Sequence, residues 1–575
     1  MTVSIVDAES VLAIDLGSIY TRAILFDVVE GRYSFIASGT SSSTFNAPFH
    51  DVREGVDHAI RRLQEISGRV ILNKNAGLIL PTQPDGSGVD RLVVTYSAGP
   101  ELKMVAAGLL DNVSLESAQR LAAITYGSIV ESIGLGDRRR PEAQVDAILR
   151  GTPDLIILAG GSDYGANRSV FKLVDLIGMV CRLLPQDKRP EVLYAGNRAL
   201  AKRIKEIIEK WTPIHTAPNV RPTIDIEDIG PAQDALNEVV TSLRYRTIGG
   251  LEQLGKISST TPLPAAYAFG RMVRFLSRVY DPAKGVLGVD IGASSTTLAA
   301  AVRGRLFLNV FAYGMGKSIK ALLTNENLKR IARWLPVEIP DSVVRDYMHQ
   351  KTLYPASIPM TSEALAIEQA VARVILENAL RESVSQWTDF PPSFEPVMAA
   401  GAILTRAPTP LHSLMMLLDG LQPIGVTTLI LDQNHLTASM GAVAKVNGIL
   451  PVQVMESGSY TNLGTVICPF SRASAGTPIL RVRLVTDDGN ENRLEVRKGS
   501  LVALPLPIGQ TARIHLQALR GAVIDPLEKR SLTSFKVQGG ICGIVFDARD
   551  RPITLPSDPV RRREMITRWM AALNV

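Results

Sequence analysis

Short runs of apolar, β-branched residues recur along the chain, each ending at Gly, Asp or Asn: Val11–Asp15, Asp154–Gly161, Glu191–Gly196, Val286–Asp290, Pro396–Gly401 and Val426–Asp432. Most are followed by stretches with helical spacing of apolar positions, such as 169–184, 197–211 and 361–380. Buried strands alternating with amphipathic helices predict an α/β protein with mainly parallel sheets. Two runs behave differently. After Gly17 the chain reads as two alternating segments joined at Glu30-Gly31, and after Gly292 as two more joined at Arg303-Gly304. The same strand–turn–hairpin unit therefore occurs twice, which predicts two similar lobes facing each other.

The predicted first lobe spans 1–284 and carries a helical, amphipathic insertion near 222–280; the second spans 285–450. From Pro451 the helical period disappears. Short alternating strands such as ILRVRLVT and NRLEVRKG predict a separate, mainly β domain over 451–575. It closes on a helix introduced by Asp558 and Pro559, a good cap and first-turn pair.

An Asp-x-Gly-Ser turn between strands is suited to phosphate. Glycine permits close backbone approach, the following N–H groups and hydroxyls bind oxygens, and the Asp is placed to hold a Mg²⁺-bound water. Asp15, Gly17, Ser18 and Thr21 form one such set; Asp290, Gly292, Ser294, Ser295 and Thr296 form the other. A single copy is most simply an ordinary tight turn, and the pairing is what points to a polyphosphate–metal clamp. The PVMAAGAILTRAP segment ends a strand at Gly401, where a small-residue turn suits an adenine and ribose; a plain strand-to-helix turn is the duller reading.

The order of two phosphate turns and an adenosine turn resembles the actin, heat-shock chaperone and sugar-kinase ATPase superfamily. Within it, DLGSIYTRA, SAGPELKMVAAGL, PDLIILAGGSDYGAN, YAGNR, VDIGASSTT and TLYPASIPMTSEALAIEQA resemble the MutL family associated with glutamate mutase, which is unrelated to mismatch repair. The resemblance implies a duplicated, two-lobed actin-like (ribonuclease H-like) ATPase fold, ATP with Mg²⁺ held through Asp15 and Asp290, and a chaperone or reactivating role toward an adenosylcobalamin-dependent mutase. It also implies that Gly160, Gly161 and Asp163 of the AGGSDYG segment lie near the γ-phosphate, with Asp163 positioning the attacking water; capping of the next helix is the alternative role for Asp163. The chain departs from the family pattern at Ile19, at Ala293 and Thr297 of the second turn, and at Ala400 and Ala402 around Gly401. A nucleotide-binding scaffold or filament protein and, less favoured, a small-molecule kinase remain alternatives on the same fold.

Composition narrows the rest. With 46% apolar and 21% charged residues the chain is globular, and three cysteines exclude a disulfide framework and point to a reducing, cytoplasmic setting. The net charge of +6 is thin over 575 residues, so no nucleic-acid partner is expected. No apolar run reaches membrane-spanning length. The closing helix over 559–573 combines arginines with Ile566, Trp569 and Leu573, which suits either docking on the β domain or, more weakly, a peripheral membrane contact. Gly316-Lys317-Ser318 resembles the end of a P-loop, but Phe311 stands where that motif needs Gly. The seven histidines show no metal-ligand spacing.

Overall fold

The computed structural model describes residues 9–573 apart from 166, 388 and 526–532. They form two compact units. One comprises residues up to 268 with 308–312 and 438–450; the other comprises 269–307, 313–437 and the C-terminal stretch from 451.

In the first unit, β1 (Val11–Leu16), β2 (Tyr20–Val29) and β3 (Arg32–Ser42) form an antiparallel meander, extended by β4 (Arg91–Tyr96) and β10 (Leu263–Pro264) in the order β10-β4-β1-β2-β3. β1 pairs antiparallel with β2 and parallel with β4. The second unit repeats this with β11 (Gly285–Ile291), β12 (Thr296–Val302), β13 (Arg305–Phe311), β14 (Phe394–Ala400) and β15 (Gly425–Leu431), in the order β13-β12-β11-β14-β15. This shared order is the duplicated actin-like arrangement. Both hairpins turn as the sequence predicts: Glu30 and Gly31 have φ of 51° and 77°, Arg303 and Gly304 of 51° and 80°. Two successive left-handed residues make the type I′ turn whose twist suits a hairpin.

Between β4 and β10 the first unit holds a second, all-parallel sheet, made of β5 (Leu102–Ala107), β6 (Gly127–Ile133), β7 (Leu155–Leu158), β8 (Glu191–Tyr194) and β9 (Ile214–Thr216) in the order β6-β5-β7-β8-β9. It has its own core, including Val105, Leu158, Val174 and Tyr194. The strands at 154–161 and 191–196 belong to this sheet rather than to that of Asp15. Within 222–280 the chain forms helices over Gly230–Thr247, Leu251–Ile257 and Ala265–Val279.

Part of the C-terminal stretch joins the sheet of the second unit. β16 (Thr461–Cys468), β19 (Leu501–Leu504) and β22 (Ile544–Asp547) continue the sheet of the second unit into eight strands ending β15-β16-β22-β19. Only β17 (Pro478–Thr486), β18 (Glu491–Arg497), β20 (Thr511–Ala518) and β21 (Ser534–Gln538) form a further sheet, of four antiparallel strands. A buried ion network fastens the junction. Asp419 accepts from Arg373 and Arg549 at 2.7 Å each, and Asp547 accepts from Arg549 and Arg551 at 2.8 Å.

The closing helix, Pro559–Ala572, docks by its apolar stripe. Ile566 and Trp569 are buried, Trp569 Nε1 donates to the Gly499 carbonyl at 3.1 Å, and the Arg549 guanidinium lies 4.7 Å from the indole. Burial of that stripe fits docking, the first of the two readings of 559–573. Among the described residues no helix is long and apolar enough to cross a membrane.

Candidate functional site

The two phosphate turns are built alike. Gly17 N–H donates to the Tyr20 carbonyl and Gly292 N–H to the Ser295 carbonyl, both at 2.9 Å. A Cβ at these glycines would stand 2.6 Å from Tyr20 O and 2.9 Å from Ser295 O, so a side chain would open either turn. Ser18, Ser294 and Ser295 are half-buried, with access to a ligand.

Thr21 and Thr296 are fully buried. Thr296 donates to the Tyr313 carbonyl at 2.8 Å, and the Thr21 hydroxyl lies against Gly55 of the helix Val52–Ser67. Both hydroxyls are buried below the turns, away from solvent. Each β-branched residue lies in the first two positions of the strand that follows its turn.

The two aspartates differ in their surroundings. Asp15 and Arg22 face each other across β1 and β2, forming an ion pair at 3.3 Å, while Thr95 of β4 donates to the other Asp15 oxygen at 2.9 Å. Asp290 has Thr297 at the matching cross-strand position. Thr297, a departure from the family pattern in the sequence, thus replaces a cation with a hydroxyl. Asp15 therefore faces an arginine across its strand pair where Asp290 faces a threonine.

The second turn gathers further backbone. β11 and β14 run parallel with Asp290 opposite Ala400, so Gly401 follows beside the turn. Gly401 has φ of 95°, and a Cβ there would lie 2.3 Å from Ile291 O. On the other side Met315 and Gly316 N–H groups donate to the Gly292 and Ala293 carbonyls at 2.9 Å, and Ser318 Oγ donates to Ala293 O at 3.2 Å. The P-loop-like segment is therefore a strap along the phosphate turn, leading into a short 3₁₀ helix at Lys317–Leu322. This role has no sequence signature of its own.

The strap contacts a loop with an unusual surface. The Pro355 Cβ would be 3.0 Å from a Cβ on Gly316. Around Pro355, Leu353, Tyr354, Ile358 and Met360 are 73%, 69%, 75% and 88% exposed. The loop is anchored beneath by buried Lys351, which donates to the Ser357 carbonyl and pairs with buried Glu368 at 2.6 Å. Tyr347 OH donates to the same carboxylate at 2.8 Å, and burial, then Glu368, pushes its phenol well above the usual range.

Asp163, Gly160 and Gly161 lie at the carboxyl end of β7, in the parallel sheet and not in that of Asp15. Asp163 Oδ1 accepts from the Arg198 N–H and from Asn219 Nδ2, both at 3.0 Å. It does not cap the next helix, Arg168–Leu183, whose cap position is Asn167. Gly160 and Gly161 have φ of 154° and 74°, and the Asn197 N–H donates to Gly160 O at 3.1 Å. These residues join the loops after β7, β8 and β9, and that is the work their contacts show.

A nucleotide fits the second turn: the tight Gly292 backbone, two accessible serine hydroxyls, a carboxylate and the Gly401 turn adjoin one another. For Mg²⁺ the fit is narrower, since among the described residues no group of three or more His, Cys, Asp or Glu side chains is placed to hold an ion. A metal here would be held mainly by phosphate oxygens and water around Asp290.

The sequence model of a family described as MutL protein matches residues 11–458. Protein MutL of Clostridium tetanomorphum is 23% identical over 397 residues, covering 65% of this chain and 79% of that protein. Among solved structures, nucleotide-free acetone carboxylase superposes with a TM-score of 0.33 at 13% identity, over 88% of this chain and 82% of that one. Nucleotide-free diol dehydratase-reactivating factor superposes with a TM-score of 0.30 at 10% identity, over 76% and 99%. At such scores the fold assignment rests on the strand order itself.

Proposed function

The chain belongs to the MutL protein family, and from that premise we propose that it binds and hydrolyses ATP with Mg²⁺ to act as a chaperone or reactivating factor for an adenosylcobalamin-dependent mutase of the glutamate mutase type. The observation that carries this reading is the second phosphate turn, hydrogen-bonded to a strap that packs beside a loop carrying exposed apolar side chains. A contiguous exposed apolar surface on a globular protein marks a protein-binding site. Here it adjoins the residues suited to phosphate, which is the arrangement a nucleotide-controlled partner site needs.

In this reading the Gly292 turn and the hydroxyls of Ser294 and Ser295 bind phosphate oxygens, and Gly401 admits the nucleoside. Asp290 orients the metal's water shell; Mg²⁺, when bound, neutralises phosphate charge. Asp15, Gly17 and Ser18 give the other unit a phosphate turn of the same build, with Arg22 holding Asp15 in place. Catalysis on such a site is chiefly positioning and charge stabilisation. A change in the phosphates alters the Ala293 backbone, and through Gly316 and Pro355 the presentation of Leu353, Ile358 and Met360.

The experiment is ATP binding and turnover by the full chain, with and without Mg²⁺, beside Asp290→Ala, followed by recovery of inactivated mutase. Binding and turnover that depend on Asp290, with ATP-dependent recovery, are expected. Absence of nucleotide binding overturns the reading; turnover without recovery of the mutase overturns the partner assignment.

A further inference from the structure

The strands of the four-stranded sheet alternate apolar and charged residues. Leu480, Val482 and Leu484 of β17, Val496 of β18, Ile514 and Leu516 of β20 and Val537 of β21 all enter one core. Their neighbours therefore stand on the opposite face. That face carries Arg481 and Arg483 from β17, Arg493 and Arg497 from β18, Arg513 and His515 from β20, and Lys536 from β21. At the described strand positions of this face the carboxylates are Glu491 and Glu495, both on edge strand β18, and Asp487 of the turn after β17 accepts from outward Thr511. Six fixed cations against two carboxylates leave a surplus of four, where the whole 575-residue chain has a surplus of six. The thin excess charge of the sequence is concentrated on one sheet face.

The register makes this face costly for the fold alone. Arg483 lies directly between Arg493 and His515, and Arg513 directly opposite Lys536. Like charges in cross-strand register destabilise a sheet. Glu491 pairs with Arg493 at 2.5 Å and Arg483 at 3.5 Å, and Glu495 with Arg497 at 3.1 Å and Arg481 at 3.8 Å, so four arginines share two carboxylates. The guanidiniums stay open to solvent, with side-chain exposures of 52% for Arg483 and 78% for Arg493. Between them runs an open trough of about 530 Å³, whose charged and titratable lining is Arg481, Arg483, Arg493, His515 and Glu495.

We propose that this face is a docking surface for an acidic segment of a partner protein, its carboxylates entering the trough between Arg483, Arg493 and His515. Guanidinium forks match carboxylates bidentately, and a sheet four strands wide, about 15 Å across at the usual strand spacing, suits an extended acidic peptide. A nucleic acid fits less well. The outward positions of these strands carry no Phe, Tyr or Trp ring on which bases could stack, since Phe535 packs against the core, and the Glu491–Glu495 edge repels a phosphate backbone. The inference does not depend on nucleotide binding.

The test uses the full-length protein with poly-L-glutamate, poly(U) and phosphatidylserine vesicles as probes at matched charge concentration. Poly-L-glutamate is expected to bind most tightly and to weaken as salt rises. Arg483→Glu/Arg493→Glu should weaken it at least tenfold, and the milder Arg481→Gln/Arg513→Gln severalfold. Arg61→Glu/Arg62→Glu, on an exposed helix face elsewhere, should leave it unchanged. All these side chains are exposed, so melting temperatures should hold. Retained polyglutamate binding in the Arg483/Arg493 variant overturns the proposal, as does tighter binding of poly(U) or of vesicles than of polyglutamate.

Discussion

Asp419→Asn tests whether the C-terminal strands are structurally one with the second unit. Asp419 is 2% exposed and bridges Arg373, in the helix Ser362–Gln386, to Arg549, which follows β22. Asparagine keeps the shape but removes the charge and turns an N–H₂ toward a guanidinium. Arg549 still has Asp547, but Arg373, 5% exposed, keeps the Trp334 ring 5.7 Å away and loses its carboxylate. Removing one partner of a buried ion network costs about 3–5 kcal/mol because a desolvated charge is left behind. At roughly 2–4 °C per kcal/mol for domains of 150–250 residues, the melting temperature should fall by about 6 °C or more. Tryptophan fluorescence is a suitable readout, since Trp334 and Trp569 each lie against an arginine of the network. Asp57→Asn, which breaks a solvent-exposed pair with Arg61, is the control and should cost at most about 1 kcal/mol. Asp419→Leu combined with Arg373→Met should recover part of the loss, because the charge left unpaired is removed together with its partner while Arg549 keeps Asp547. A loss for Asp419→Asn no larger than that of the control would refute the reasoning.

Other expectations follow from the same contacts. Gly401→Ala forces a Cβ against Ile291 O at positive φ, and should abolish nucleotide binding in calorimetric titration while lowering the melting temperature. Asp290→Ala should lose nucleotide binding in the same titration, and Asp15→Ala should lose stability, because Arg22 and Thr95 would lose their shared acceptor. Leu353→Ser/Ile358→Ser should leave ATP turnover intact and weaken mutase recovery at least tenfold, read in the same reactivation assay. Burial works to raise the Asp547 carboxyl, but the Arg549 and Arg551 guanidiniums overcome it and hold it well below the usual range. Its contribution is thus fully present above the unfolded-state value of about 4 and is lost as pH falls below it. Asp547→Asn should be less stable at neutral pH and should lose less stability on acidification, measured by denaturant unfolding from pH 7 to pH 3.

The amino-acid sequence by itself determined the local parts of this protein: the buried strands, the two type I′ hairpins at Glu30-Gly31 and Arg303-Gly304, the matching Asp-x-Gly turns and the cap at Asp558. Each is decided within a few residues, by side-chain period or by a backbone angle that glycine permits. Which strands pair is decided by contacts far apart in sequence, and there only the tertiary structure was decisive. It placed Asp163 in an inserted parallel sheet, tied by Arg198 and Asn219, although its glycine-rich turn reads like a phosphate loop. It continued the second unit through β16, β22 and β19, because their apolar faces and the Asp419–Arg549–Asp547 charges are buried only when the segments meet. It turned Thr21 and Thr296 into the core, gave Asp15 an arginine and Asp290 a threonine, and laid Gly316 on Ala293 beneath an exposed apolar loop. Turn chemistry is legible one residue at a time; cross-strand neighbours and burial come from the fold as a whole, and they distinguish one Asp-x-Gly turn from the other.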